Sequence, residues 1–404
     1  MKVCVVGSGG REHALAHVLG RSADVIVTPG NPGIPGSVST DPTNIDADLF
    51  VIGPEVPLVD GLADRLRAQG KRVFGPGADG AQLEGSKGWM KQLLADAGVP
   101  TARFGTFTEP AAAHAFLDTM NDLYVVKTDG LAAGKGVLVT ESAADAHAAI
   151  DEYLSGAAFG DAGRTLVIEE GLVGPELSVF AVCDGTRGVA LAAAQDFKRI
   201  GSGDTGPNTG GMGAYSPVPF AGSDIIDLVM ADFVEPTLAA LTARGIDYRG
   251  VLFAGLMMTP SGPKMLEYNC RFGDPETQVV LPRLTSDLAE LLSQAADGAI
   301  TSTHEISADA MVTVVCASEG YPTSPRTGDV IRGIDEARSI DGVEVFCAGV
   351  ADAGDGQLAT GGGRVLNVTG RGATVAEART KAYEAVAHIT WPGRYVRDDI
   401  AASV

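Results

Sequence analysis

The sequence predicts a multidomain α/β and α+β protein, opened by an N-terminal open parallel α/β sheet and closed by a C-terminal β-rich cap. Its 404 residues, 45% hydrophobic and 20% charged, supply two to four units of ordinary globular composition. Near the N-terminus "KVCVVGSGG", "VIVTPGNPG", "LFVIGPE" and "KRVFGPG" each set an apolar run before a Gly/Pro loop. After "GVPTARFG" the pattern turns to hairpins and short helices.

The first run is a buried strand, a tight glycine turn and a helix over about Arg11 to Leu19. In open parallel sheets the ligand crevice lies at the carboxyl ends of the strands, so these Gly/Pro loops share one edge and hold something small. Further on, "LYVVK" and "GVLVT" flank "KTDGLAAGKGV" with β-branched residues, so that glycine loop joins two strands of a hairpin. An Ala-rich helix from Ala143 to about Leu154 and the strand-rich "TLVIEEGLVGPELSVFAVC" complete a small α+β unit. The polar stretch from Ile200 to Met212 reads as a long loop that orders around phosphate and metal. A helix follows around Ile225 to Arg244, then strands "GVLFAGLMMT" and "KMLEYNCRFG" and a helix around Leu284 to Ala296. Strands "MVTVVCAS", "VEVFCAG" and "GRVLNVTG" and a helix over Thr374 to His388 build the cap. The expected units are residues 1–102, 103–173, 174–306 and 307–404.

Composition excludes several classes. A formal charge of −21 opposes general nucleic-acid binding, which needs a basic surface to displace counterions. No run of about 18 apolar residues is present for a membrane span, and the apolar start is too short for a signal-peptide core. A cytoplasmic protein is expected. The five cysteines are scattered and never form a C-x-x-C pair, which suits buried thiols rather than disulfides or a zinc site.

The glycine loops fail two common templates. From Gly130 the order is one residue short of a P-loop, with Gly136 where the hydroxyl residue belongs. In "GSGGRE", Glu12 replaces the last glycine of a dinucleotide fingerprint, and Thr28 and Pro29 stand where a ribose-binding acid would be. A phosphate or ribose contact at the helix N-terminus remains open. His13 and His17 lie one helical turn apart but have no further ligands nearby, which favours a helix surface or substrate edge over a metal site.

The densest group of useful side chains is "LEYNCRFGDPETQ", Leu266 to Gln278. In a strand, Glu267 and Asn269 point to one face and place two oxygen ligands together for a hard cation. Arg271 shares that face if the strand continues, and its guanidinium can fork onto a carboxylate or phosphate. Asp274 and Glu276 follow in a turn set by Gly273 and Pro275.

"KTDGLAAGKGV", "VIEEGLVGPE", "QDFKR", "DTGPNTGGMGAYSP" and "RFGDPETQ" occur in this order after "GSGGREHAL" and "GPEVPLV". Together they resemble the phosphoribosylamine–glycine ligase family of ATP-grasp enzymes, from the first residues to the last helix. The resemblance implies an ATP-grasp core with a small lid domain, ATP and Mg²⁺ or Mn²⁺ as cofactors, glycine and 5-phosphoribosylamine as substrates, and a monomer. Lys87 and Lys127 match the phosphate-binding lysines, and Gly130, Gly134, Lys135 and Gly136 match the lid loop. Glu169, Glu170 and Leu172 match the hinge whose backbone meets adenine, and Glu176 matches the carboxylate on the ribose hydroxyls. Arg199 and Asn208 match further nucleotide positions, while Glu267 and Asn269 match the metal ligands. Asp196, Arg271 and Asp274 are the expected catalytic groups, placing glycine and the amine. Gly9, Gly10, Pro29, Gly30 and Asn31 are expected to hold the phosphoribosyl part, from their place at strand ends.

Three departures from the family pattern stand out. Thr128 replaces an alanine in "KTDG", and Phe197 replaces a histidine in "QDFKR". Between "SVST" and "ADLFVIGPE" only "DPTNID" is present, although a parallel crossover takes roughly a dozen residues or more. The expectation is a missing segment near Asp41 to Asp46 rather than a trimmed sheet. Two other readings are weaker: another purine or carboxylase-type ATP-grasp enzyme, against which "RFGDPETQ" speaks, and a non-catalytic nucleotide-binding regulator, against which the retained Lys87, Lys127, Glu267, Asn269 and Arg271 speak.

Overall fold

The computed structural model describes residues 1–131, 136–156 and 163–404. Strand β1 (Lys2–Gly7), helix α1 (Gly10–Leu19), β2 (Asp24–Pro29), β3 (Leu49–Ile52), α2 (Glu55–Val59), α3 (Leu62–Ala68) and β4 (Val73–Phe74) form the first unit. Its strands are parallel in the order β2-β1-β3-β4. Alternate residues serve two layers: Val3, Val5, Val27, Leu49 and Val51 pack with Leu15, Val18 and Leu19 of α1, while Cys4, Val6, Phe50 and Ile52 pack with Leu58, Leu62 and Leu66. Burial on both faces is why these strands are almost wholly apolar.

Among the residues present, the crossover near Asp41 to Asp46 holds no α-helix. The chain runs unbroken from β2 to β3 with a single 3-10 turn, Pro42–Asn44, in place of a helix. Lys71 does the holding: its Nζ donates to the carbonyls of Thr43 at 2.5 Å and Ile45 at 3.0 Å, and lies 4.9 Å from the Phe50 ring centroid. Ile45 is buried beneath it, and Ile26 stays half-buried at the sheet margin.

Helices α4 (Ala78–Gly85) and α5 (Lys87–Asp96) lead into a second unit of β5 (Phe104–Phe107), α6 (Pro110–Leu117), β6 (Tyr124–Thr128), β7 (Val137–Thr140), α7 (Ala143–Leu154) and β8 (Leu166–Glu170). The antiparallel sheet runs β5-β8-β6-β7. The glycine loop joins a hairpin as expected, with Lys127 opposite Val137 and the Thr128 N–H donating to Gly136 O at 2.8 Å. Gly134 and Lys135 lie outside the described residues. Val126, Leu166 and Ile168 face Ala113, Leu117, Ala146 and Ile150 of α6 and α7. By strand alternation Lys127 and Glu169 point to the opposite face.

The third stretch holds β9 (Glu176–Asp184), β10 (Gly188–Ala190), β11 (Gln195–Asp196), β12 (Arg199–Gly201), β13 (Thr205–Asn208), β14 (Gly213–Ser216), α8 (Ser223–Val229), α9 (Glu235–Ala243), β15 (Arg249–Thr259), β16 (Gly262–Asn269), α10 (Thr277–Val280) and α11 (Leu288–Asp297). A sheet of order β10-β9-β15-β16 is its centre. The stretch after Arg199 is a hairpin, β12 with β13, rather than an irregular loop. The helix expected over Ile225 to Arg244 is split by a wide π turn at Met230–Val234, next to Pro236, whose missing N–H cannot extend the ladder. The helix expected from Leu284 starts at Leu288 instead, because the Asp287 carboxylate accepts from the Glu290 N–H and caps it there.

The last stretch adds β17 (Ala310–Ala317), α12 (Ile334–Arg338), β18 (Val343–Cys347), β19 (Val350–Gly354), β20 (Gln357–Thr360), β21 (Arg364–Gly372) and α13 (Val375–His388). Its antiparallel sheet runs β11-β14-β17-β21-β18, so strands from both sides of residue 306 share one sheet. All five cysteines are buried and free. Among the described residues no helix is long and apolar enough to cross a membrane.

Candidate active site

The lid hairpin is anchored to α5 by Asp129. Its carboxylate accepts from the Gly88 N–H at 3.0 Å and from Ser86 Oγ at 3.0 Å, at the helix N-terminus. The Lys87 ammonium donates to Gly130 O at 2.8 Å. Both lie where a phosphate chain can meet helix N–H groups and a positive charge together.

Lys127 stands across from this corner. Its Nζ is 2.9 Å from one Glu169 oxygen, and the wholly buried Lys91 holds the other oxygen, also at 2.9 Å. Thr101 Oγ1 at 2.7 Å and Met265 O at 3.4 Å take the remaining Lys91 donors. Burial works against all three charges, but each is answered. Burial lowers the Lys127 pKa and raises that of Glu169, yet the ion pairs reverse both shifts, so the pair stays ionised. Lys91, more strongly desolvated, is pulled down to about 8. The Glu169 backbone is paired with β5 and β6 on its two sides, so its side chain, not its backbone, faces the site. Glu170 ends the same strand, its carboxylate accepting from the Arg103 N–H and from Lys264 Nζ of β16. Leu172 follows half-buried in the connection to β9.

Glu267 and Asn269 occupy one face of β16, as the two-residue spacing required. Burial lowers the Lys87 pKa despite the neighbouring Glu267 charge, whereas at Lys127 the charges of Glu169 and Glu267 outweigh burial and raise it. Acid, amide and two ammonium groups from three elements, α5, β6 and β16, therefore converge. Two oxygen donors beside lysines suit a Mg²⁺ that keeps several waters and shares nucleotide phosphates. Thr128, next along β6, is buried on the opposite face by strand alternation, its Oγ1 without a hydrogen-bond partner among the described residues.

The strand ends at Asn269, short of Arg271. Arg271 nevertheless turns inward, with Nη2 at 2.7 Å from Glu84 and Nε at 3.3 Å from Glu55. Burial opposes its charge, but these two carboxylates raise its pKa. Glu84 also accepts from the Cys270 N–H at 2.9 Å, which fixes the turn that aims the guanidinium.

Asp274 meets Arg364 of β21 at 3.3 Å and the Gln278 amide at 2.9 Å. Burial would raise its pKa, but Arg364 and Arg11 hold it below the usual carboxylate range. Gly9 lies against Asp274, where a Cβ would come 3.6 Å from Oδ2. At Gly10 a Cβ would overlap the Asn367 amide at 2.1 Å and crowd Gln278 at 2.9 Å. Both Asn367 amide atoms and Gln278 Oε1 are buried without a hydrogen-bond partner. A polar cradle thus lies beside the first glycine turn. Gly30 caps β2 in a left-handed conformation (φ +62°), with Pro29 exposed beside it. Asn31 is committed elsewhere, its amide donating to Ser8 O, Cys347 O and Ala348 O. Among these contacts it is an anchor between the first unit and the cap.

Lys198 ties Glu176 (2.5 Å) to Asp196 (2.8 Å). Nearby, burial and the Asp196 charge push Glu276 up to about 7. Arg199 and Asn208 face each other across the β12–β13 hairpin, and the Arg199 guanidinium donates to Gly206 O at 2.8 Å. Phe197 stacks against Arg397 and Tyr215. His13 is not on a surface: its Nδ1 accepts from the Cys347 N–H at 2.8 Å, and burial lowers its pKa to about 3.

Sequence reasoning missed Lys91, Glu84, Glu55, Lys198, Arg364, Gln278 and Asn367 as site residues. Most act through a partner distant in sequence, so no local spacing marks them. Lys91, four residues after Lys87 on one helix face, was the one with a local signal.

Three family models cover nearly the whole chain. They are the phosphoribosylglycinamide synthetase N domain over residues 1–84, its ATP-grasp (A) domain over 85–277 and its C domain over 311–403. The phosphoribosylamine–glycine ligase of Mesorhizobium japonicum is 48% identical over 99% of this chain and 97% of its own length. That of Escherichia coli O157:H7 is 46% identical over 99% and 98%. The crystal structure of the Thermotoga maritima phosphoribosylamine–glycine ligase superposes with a TM-score of 0.85 at 34% identity, covering 99% of this chain and all of that one (100%). A biotin carboxylase domain from Hydrogenobacter thermophilus, in complex with MgADP, shares the fold at a TM-score of 0.74 and 13% identity, over 98% of this chain and 91% of that one. With family models along its length and close relatives over 99% of its residues, the chain belongs to the phosphoribosylamine–glycine ligase family.

Proposed function

We propose that the protein joins glycine to 5-phosphoribosylamine with cleavage of ATP, giving glycinamide ribonucleotide, ADP and phosphate in de novo purine synthesis. The observation that carries this reading is the convergence of Lys87, Lys127, Glu267 and Asn269 under a glycine hairpin, with the buried Arg271 beside them.

A carboxylate is a poor electrophile, so glycine is activated as glycyl phosphate and the sugar amine then displaces phosphate. Mg²⁺ or Mn²⁺, when bound, neutralises charge on the nucleotide phosphates. Glu267 and Asn269 would hold it, and Lys87 and Lys127 supply positive charge to the nucleotide phosphates. Glu169 acts by keeping Lys127 aimed and charged. The connection through Glu170 and Leu172 borders adenine, and Glu176 takes the ribose hydroxyls, drawn towards Lys198. Arg271 receives the glycine carboxylate or the transferred phosphoryl group, because its guanidinium is fixed by Glu84. Gly9, Gly10, Gln278 and Asn367 cradle the phosphoribosyl group next to Asp274. Gly130 and Gly136 flank the lid that closes over the site, since open access would hydrolyse the acyl phosphate. The four units 1–102, 103–173, 174–306 and 307–404, a monomeric state and a cytoplasmic location complete the reading.

The test is ADP release from Mg·ATP with glycine and phosphoribosylamine generated in situ from ribose 5-phosphate and ammonia. Release that depends on both glycine and the sugar amine supports the assignment. Release that ignores either one sinks it.

A further inference from the structure

On the outer face of the lid, His114 of α6 and His147 of α7 approach each other nitrogen to nitrogen. Their Nδ1 atoms are 2.7 Å apart, with ring centroids 4.9 Å apart and planes inclined by 36°. Each ring is backed at its far nitrogen by a carboxylate: His114 Nε2 meets Asp151 Oδ1 at 2.9 Å, and His147 Nε2 meets Asp118 Oδ1 at 3.1 Å. If both Nε2 atoms carry their hydrogens towards the carboxylates, neutral rings would oppose two lone pairs at Nδ1. One shared proton relieves that, and so does one cation.

We propose that this cluster is a binding site for a borderline divalent transition cation such as Zn²⁺, Ni²⁺ or Cu²⁺, held by the two Nδ1 atoms with water in the remaining positions. The carboxylate behind each imidazole is the usual outer partner of metal-bound histidine, fixing the tautomer and raising ligand basicity. Imidazole pairs favour these ions over Mg²⁺, which prefers oxygen. At metal–nitrogen distances of about 2.0–2.1 Å a tetrahedral ion needs the two nitrogens about 3.3 Å apart. The rings must therefore part by well under 1 Å, which half-exposed side chains on two helix surfaces can do. Among the described residues no cluster of three or more His, Cys, Asp or Glu is arranged for a metal, so this is a two-ligand site of modest affinity.

The pair lies apart from the candidate active site. Helices α6 and α7 cover the face of Val126 and Ile168, whereas Lys127 and Glu169 belong to the other face. A cation here bridges the two lid helices without touching the nucleotide.

The test uses the full chain, freed of metal and without ATP, titrated with Zn²⁺ against a chromophoric chelator. A parallel Cu²⁺ titration is followed by electron paramagnetic resonance. Wild type should bind one ion with a two-nitrogen hyperfine pattern. His114→Ala and His147→Ala should each lose that ion, and Asp151→Asn should weaken it by about tenfold or more. All three should keep wild-type ADP release, which shows that they fold. Unchanged Zn²⁺ affinity in both histidine variants, or a Cu²⁺ spectrum without two nitrogens in wild type, would overturn the proposal.

Discussion

Lys127 and Lys91 share one buried carboxylate, each 2.9 Å from a different oxygen of Glu169. Removing Glu169 leaves two buried ammonium groups without the carboxylate that contacts them both. Glu169→Ala should lower unfolding stability by about 3–5 kcal/mol, read from urea denaturation. A loss under about 1 kcal/mol would mean that the triad is not ionised as described.

Glu267→Ala should abolish or nearly abolish ADP release, by roughly 100-fold or more, while leaving the fold intact. The strand position is half-buried and carries no core side chain, so circular dichroism should be unchanged. Retained ligation in this variant would place the metal elsewhere.

Gly10→Ala puts a methyl group into the cradle formed by Asn367 and Gln278. It should raise the KM for phosphoribosylamine while leaving the KM for ATP within about twofold, because the nucleotide corner is built from other elements. Equal effects on both constants would contradict the assignment of this cradle.

Glu276 supplies a pH signature. Its pKa is raised from 4.5 to about 7, first by burial and then by the Asp196 charge, so the folded state keeps a proton that the unfolded chain has lost. This stabilisation is complete below about pH 4.5 and disappears as pH rises through 7. Glu276→Gln should therefore compare better with wild type at pH 8 than at pH 5 in urea midpoints. The same difference at both pH values would remove Glu276 as the titrating group.

Lys71→Met tests the helix-free crossover. Loss of the bonds to Thr43 and Ile45 should cost about 1–3 kcal/mol and speed amide hydrogen exchange in β2 and β3. Unaltered exchange would show that the crossover holds without this lysine.

The parallel N-terminal sheet, the glycine hairpin and α13 were legible because each follows from local pattern: apolar runs before glycine, paired β-branched flanks, and Thr374 as a helix cap. Glu267 and Asn269 were legible for the same reason, since strand alternation alone puts them together. The shared sheet of β14 and β17 was not, because pairing across residue 306 depends on tertiary packing. Nor were Glu84 and Arg364, whose meaning comes from Arg271 and Asp274, more than 80 positions away in each case. The hold of Lys71 on the short crossover was not legible, because its bonds to Thr43 and Ile45 join segments more than 20 positions apart.

The most direct measurement of the central claim follows oxygen from glycine labelled with ¹⁸O in its carboxylate. If the site activates glycine as an acyl phosphate, one ¹⁸O should appear in the inorganic phosphate released for each ligation. Ligation with unlabelled phosphate would contradict the account.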